Sequence, residues 1–162
     1  MSEKAEECKC IAVVRVRGLI SAQREARETL DLLRLARTNN AVLVNNNPAF
    51  MGMLKRARNY VTWGEASKET VTLLLQKRGR LAGGKKLTDE FAQKIGYKSL
   101  NELAEAVATC KMEYRKLLGI QPVFKLRPPT KGFRGKTKKS YGAGGESGYR
   151  GERINELIKR MV

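Results

Sequence analysis

The order of local signals from Ile11 to Gly64 leaves few folds open to this chain. Residues 11–17 read Ile-Ala-Val-Val-Arg-Val-Arg, a β-branched run that stops at Gly18, and so a strand. Ser21 can cap a helix behind it, with Glu25 in the first turns. Ala22, Ala26, Leu30, Leu33 and Arg37 then fall at helical spacing, and Leu32 with Ala36 widens the apolar stripe. Thr38-Asn39-Asn40 closes that helix, and Ala41-Val42-Leu43-Val44 makes a second strand. Asn47 at a cap and Pro48 in the first turn open another helix, where the missing proline N–H costs nothing. Phe50, Leu54 and Ala57 form its buried edge. Tyr60-Val61-Thr62-Trp63 alternates before Gly64 and reads as a third strand, with Tyr60 and Trp63 as packing residues. Strand, helix, strand, helix, strand implies an α+β domain over residues 1–66, with two helices on one face of a small three-stranded sheet.

Residues 67–121 read as a helical extension. Ser67 caps a stretch in which Val71, Leu74 and Leu75 align, Lys77 and Arg78 close the last turn, and Gly79 stops it. The β-branched Thr70-Val71-Thr72 keeps a strand possible there, but the caps favour a helix. Thr88 opens a short helix ending at Gly96. Ser99 and Glu102 form a capping box, with Leu100, Leu103 and Val107 inward. From Pro122 to the end the composition shifts. Lys125, Arg127, Lys131, Arg134, Lys136, Lys138 and Lys139 fall within residues 125–141 with no acid among them, and glycines punctuate the stretch. Such a segment cannot bury enough apolar surface to fold alone. Yet Ile154, Leu157, Ile158 and Met161 repeat at helical spacing, so an amphipathic helix should dock back on the core. Residues 122–162 are thus a basic glycine-rich loop pinned between anchored ends.

Charge narrows the function. Lysine plus arginine total 33 against 16 aspartate plus glutamate, a formal net charge of +17. That excess repels itself in a compact fold unless a polyanion neutralises it, and nucleic acid does so by releasing counterions. Candidate contacts are Arg15 and Arg17 on one strand face, and Arg24, Arg34 and Arg37 along the first helix. Lys55 and Arg58 lie on the second. Lys77, Arg78, Arg80, Lys85 and Lys86 cluster across a glycine-containing connection. Lys125, Arg127, Lys131, Arg134, Lys136, Lys138 and Lys139 lie in the basic loop. Phe133, Tyr141 and Tyr149 could stack on unpaired bases, or could pack against the loop itself. A charged helix face is usually only solvated; acid-free clusters interleaved with glycine are the sharper signal. The loop style favours RNA over DNA, since no recognition helix or zinc finger for the major groove is visible.

Other classes fare poorly. No histidine is present, so the commonest proton-transfer group at neutral pH is missing, and the carboxylates sit beside lysine or arginine on helix faces. The run from Gly79 to Lys86 has the glycine spacing and lysine of a phosphate-binding loop, but ends in Lys86 where a hydroxyl must hold magnesium. Gly135-Lys136-Thr137 has the right end, but Thr130 stands where the first glycine belongs. No enzyme, cofactor or small-molecule substrate is expected. Cys8, Cys10 and Cys110 are too few and uneven for a disulfide framework, and a zinc site would need carboxylates to complete it. They read as reduced thiols. No segment approaches the ~18 apolar residues of a membrane span, and the charged start, Met1 to Lys9, lacks a signal-peptide core. A cytoplasmic protein with no membrane partner is the expectation.

Several strings then become recognisable in order: Val14-Arg15-Val16-Arg17-Gly18, Leu33-Arg34-Leu35, Pro48 with Met53-Leu54, and Tyr60 through Trp63-Gly64. Lys77-Arg78-Gly79, Leu87-Thr88-Asp89 and Phe124-Lys125-Leu126 with Pro128-Pro129 follow. Gly132-Phe133, Gly144-Gly145, Gly148, Arg150, and Ile154-Asn155 through Arg160-Met161 complete the set. Together they resemble the ribosomal large-subunit protein L-thirty family, in the longer archaeal form related to eukaryotic L-seven. The resemblance implies an antiparallel sheet in a ferredoxin-like βαβαβ arrangement, with bacterial members resembling only about the first 65 residues. It also implies a structural role on large-subunit rRNA, in the vicinity of 5S rRNA and among neighbouring ribosomal proteins. Arg15, Arg17, Arg34, Lys77, Arg78, Lys125, Lys131, Phe133 and Arg150 are the matching positions it marks for contact. Departures are the Cys8/Cys10 start and an N-terminal arm shorter than the eukaryotic one. A non-ribosomal RNA-binding or RNA-chaperone module is the alternative.

Overall fold

Every side chain of β1 (Cys10–Arg15) is buried, which a strand achieves only when both faces of its sheet are covered. A computed structural model, describing residues 7–162, shows how this happens. Residues 1–6 of the charged start lie outside the described residues. β1 sits between β2 (Asn40–Asn45) and β3 (Val61–Glu65), antiparallel to both, with Val13 opposite Val42 on one side and Trp63 on the other. Alternation then sends Ile11, Val13, Val42, Val44, Val61 and Trp63 to one face. There they meet Leu30, Leu54 and Ala57 from α1 (Arg24–Leu32), α2 (Pro48–Arg56) and its C-terminal end, so these two helices share one face as the element order requires.

The opposite face carries Cys10, Ala12, Val14, Val16, Ala41 and Leu43. It is covered by α3 (Lys68–Arg78), α4 (Asp89–Ile95), α5 (Leu100–Ala108) and α6 (Ile154–Met161). Residues from all three sequence segments therefore meet in this second core. The caps behave as read: Asn47 Oδ1 accepts from the Phe50 N–H and Ser67 Oγ from the Thr70 N–H. At the third cap, Ser99 Oγ accepts from Glu102 N–H, but the Glu102 carboxylate reaches back to the Lys98 N–H.

Among the described residues the sheet has six strands, not three, in the order β4-β2-β1-β3-β6-β5. The expectation of a three-stranded sheet is corrected because the basic segment supplies β4 (Val123–Lys125), β5 (Lys136–Ser140) and β6 (Gly145–Tyr149). β4 adds antiparallel to β2; β6 adds parallel to β3, and β5 parallel to β6. Parallel neighbours usually need a crossover of about a dozen residues, yet β5 and β6 are joined by residues 141–144 alone. Gly145 makes that possible, since a Cβ there would run into the Lys139 carbonyl. Gly64 works similarly: it lies inside β3 rather than ending it, and a Cβ would meet the Gly151 carbonyl.

The first helix also differs from its reading. Ser21 adopts φ +62°, and the helix starts only at Arg24, with Gln23 at the cap. It ends at Leu32, so Leu33 is buried in the turn that follows, and Arg34, at φ +61°, and Arg37 leave the helical face assigned to them.

Candidate nucleic-acid interface

At the β4 side of the molecule several cations are drawn together by backbone pairing. Lys125 lies opposite Asn40, whose N–H is bonded to the Arg37 carbonyl, so Lys125 and Arg37 flank one sheet edge. The chain then runs along the end of α6, with Arg127 N–H on the Met161 carbonyl. Here Arg127 and Arg80 lie close to Arg78, whose guanidinium donates to the Val162 carbonyl at 2.9 Å. Desolvation chiefly, and those two like charges next, pull its pKa down. An isolated antiparallel bridge between Arg80 and Lys86 holds the next cluster, with Lys85 exposed at its turn and Lys77 exposed on α3. Residues from Arg37, the end of α3, the following turn and the basic segment are thus neighbours in space.

On the far edge, β5 carries Lys136, Lys138 and Lys139, all exposed on a strand that, among the described residues, has no partner on its outer side. The strand is positioned by a polar network. Glu146 Oε1 accepts from the Gly135 N–H at 2.8 Å, and its Oε2 accepts from the Arg150 guanidinium at 2.6 Å. Arg150 also donates to Thr62 Oγ1, which in turn donates to the Gly148 carbonyl. The Glu146 and Arg150 side chains retain only 6% and 5% of their exposure. Arg150 therefore ties β6 to β3 from inside, with its guanidinium 4.9 Å from the centre of the Tyr141 ring.

Arg15 is likewise buried, at 4% exposure, and donates to the Leu35 and Arg17 carbonyls at 2.9 Å each. Arg15 and Arg150 are occupied in the fold, whereas Arg17 lies half-buried over the Tyr60 ring. Arg24, Arg34, Arg37, Lys55 and Arg58 are exposed around the first two helices, Arg24 in an ion pair with Glu28. Lys131 and Arg134 are exposed, Arg134 at 2.8 Å from Glu156. Phe133 packs against the second core, while Tyr141 is half-buried and Tyr149 exposed. Among the described residues, Arg24, Arg134 and Arg150 are the predicted cations that have ion-pair partners.

Three arginines escaped the sequence reading. Arg115 donates to the Leu32 carbonyl, sits over the Phe50 ring and lies near Arg34. Its only signal was a basic residue beside Tyr114. Arg153 lies in the turn just before α6 and Arg160 near its end, where the sequence reading singled out only the apolar stripe. Arg153 donates to the Tyr141 hydroxyl, and Arg160 to the Thr130 and Gly132 carbonyls.

Of the thiols, Cys8 is exposed, Cys110 half-buried, and Cys10 buried and pushed up to about 12 by desolvation, with Cys8 adding to it. No disulfide joins them, and among the described residues no three acids or cysteines gather as metal ligands. The Tyr149 hydroxyl donates to Glu65 Oε1 at 2.6 Å, and chiefly through that bond its pKa is pushed up to about 12. No helix of the described residues is long and apolar enough to cross a membrane.

A sheet covered by helices on both faces, with surplus cations at both edges and round its ends, is the build of a small basic α+β protein. The chain belongs to the ribosomal protein L30p/L7e family. The family's sequence profile matches residues 11–61, which span β1 through the first residue of β3. Similarity to individual relatives runs much further. Large ribosomal subunit protein uL30 of Thermofilum pendens is 48% identical over 93% of this chain and 97% of its own. The uL30 proteins of Methanothrix thermoacetophila and Staphylothermus marinus are 46% and 45% identical over 93% of this chain and 98% and 97% of theirs.

Proposed function

We propose that this chain is a structural, non-catalytic constituent of the large ribosomal subunit that binds and stabilises large-subunit rRNA near 5S rRNA, beside neighbouring ribosomal proteins in the cytoplasm. The observation that carries this reading is the excess of exposed cations without ion-pair partners among the described residues, gathered at the two sheet edges, on a chain of net charge +17. Such charge repels itself in the free protein and is relieved on a polyanion. Relatives named as large-subunit proteins over nearly the whole length supply the identity of that polyanion. Exposed Arg34, Arg37, Lys77, Lys85, Lys86, Lys125, Arg127, Lys131, Lys136, Lys138 and Lys139 are the contacts in this reading, with half-buried Arg17, Arg78 and Arg80 beside them. Arg15 and Arg150 act by holding the strands that present them. Residues 1–66 and 67–121 form the body together with β4, β6 and α6 of segment 122–162, whose β5 edge faces the RNA in this reading.

The test is rRNA binding measured across a salt series. Reversal of Lys136, Lys138 and Lys139 to glutamate together should lower the log–log salt slope by about 2 to 3, since each phosphate contact contributes roughly 0.7 to 0.9. An unchanged slope removes these lysines from the interface. Failure of the wild-type chain to co-sediment with large subunits at high salt, while it still binds RNA, would favour a non-ribosomal RNA-binding or chaperone module.

A further inference from the structure

Between the β5–β6 connection and the start of α6 lies an open cleft of about 360 Å³, within the usual range for small-ligand sites. Four arginines line it, Arg134, Arg150, Arg153 and Arg160, against two carboxylates, Glu146 and Glu156. The two acids offset two of the four positive charges, and Arg153 and Arg160 supply the excess that remains. Glu146 spends both oxygens on Arg150 and the Gly135 N–H. Glu156 holds Arg134 in a largely exposed ion pair, a contact worth little and easily exchanged for a stronger anion. Arg153 spends one nitrogen on the Tyr141 hydroxyl, leaving the rest of its donor fork uncommitted among the described residues. Arg160 is aimed by the Thr130 and Gly132 carbonyls, which fix its guanidinium at the rim.

The remaining wall is flat rather than charged. Tyr141 lines the cleft with the Arg150 guanidinium 4.9 Å from its ring centre, and Gly144 and Gly145 line it without side chains. An anion alone has no use for an aromatic wall, and a base alone none for a ring of guanidiniums. We infer that this cleft seats one unpaired, extruded nucleotide of RNA, its phosphate on Arg153, Arg134 and Arg160 and its base against Tyr141. The inference rests on the rRNA-binding reading above and specifies the ligand at one place on that surface. A base held in a helical stack cannot enter, so the site selects loops, bulges or junctions.

Full-length chain with purified large-subunit rRNA provides the test, by ultraviolet crosslinking with site mapping and by affinity across salt. Tyr141 should crosslink to a single-stranded nucleotide. Tyr141→Leu should weaken binding by about five- to 150-fold, the range for one stacked base, with the salt slope unchanged. Tyr141→Phe, which keeps the ring and loses the bond to Arg153, should bind nearly as wild type, and this variant separates loss of stacking from a disturbed turn. Arg153→Gln should lower the slope by roughly 0.7. Wild-type binding to rRNA with Tyr141→Leu and Arg153→Gln equally tight, and no crosslink at Tyr141, overturns the inference and leaves the broader reading standing. Saturation of the cleft by millimolar free adenosine monophosphate, with rRNA affinity unmoved in both variants, assigns it to a free nucleotide and overturns it as well. A wild-type chain that ignores rRNA sinks both.

Discussion

In β1 and β2 successive valines, leucines and isoleucines are buried against helices on both faces, while in β5 and β6, beyond β3 in the same sheet, almost nothing apolar is available. The first pair is held by burial, which has no direction and tolerates small losses. The second is held by Glu146, Arg150, Thr62 and the glycines that let the strands close. Such a network is directional, and one missing member leaves another buried and unsatisfied. The arrangement suits a segment that must expose lysines. A strand gripped from beneath by an ion pair can keep its whole outer surface cationic, which an apolar strand cannot.

Glu146→Ala tests this contrast hardest. It strands the Arg150 guanidinium and should cost about 4 kcal/mol, read as hydrogen exchange lost across residues 134–150 with β1 and β2 still protected. Loss that spreads evenly over the sheet would break the comparison. Glu146→Leu combined with Arg150→Met should recover part of that loss, because no buried charge is left over, though the Gly135 N–H stays unpaired. Leu54→Ala, in the face that α1 and α2 cover, should cost about 3 kcal/mol and lower the denaturation midpoint of the whole chain instead. Ser67→Ala removes only the cap of α3 and should cost about 1 kcal/mol in the same assay. The smallest effect belongs to Tyr149. Its phenol should titrate near 12 by absorbance, against an ordinary 10. The fold favours the protonated form, so this contribution to stability is complete below pH 10 and disappears as pH rises through 12. A midpoint near 10 would show that the Glu65 bond does not persist in solution.

The same contrast decides what could be read in advance. Elements bounded by caps and apolar spacing were legible: the helices opened by Asn47, Ser67 and Thr88, and the stripe Ile154, Leu157, Ile158 and Met161. β5 and β6 were not. Lys-Thr-Lys-Lys-Ser and Gly-Glu-Ser-Gly-Tyr carry no apolar period, and the pairing of Glu146 with Arg150 is a tertiary fact with no local signature. Arg15 misled for a related reason. The alternation Val14-Arg15-Val16-Arg17 points its arginines away from the core that takes Val14 and Val16, and only the fold shows that Arg15 then lies on the face covered by α1 and α2. Arg34 and Arg37 were assigned to a helix that ends before them because Leu33 continues the apolar spacing into a turn. The exposed lysines were the easy part of the candidate site; the Arg153–Tyr141 contact needed the fold.

Among the described residues the outer edge of β5 is open, and this has a consequence for the protein before it meets its host. A bare strand edge invites pairing with another copy, and a row of lysines is a common deterrent. Here that deterrent is made of the very charges a nucleic acid would mask. Short anionic fragments that coat the edge without enclosing it should therefore drive the purified chain to clump, while simple salt at equal ionic strength does so far less. Safe assembly demands a large, folded host that covers the edge in the act of discharging it.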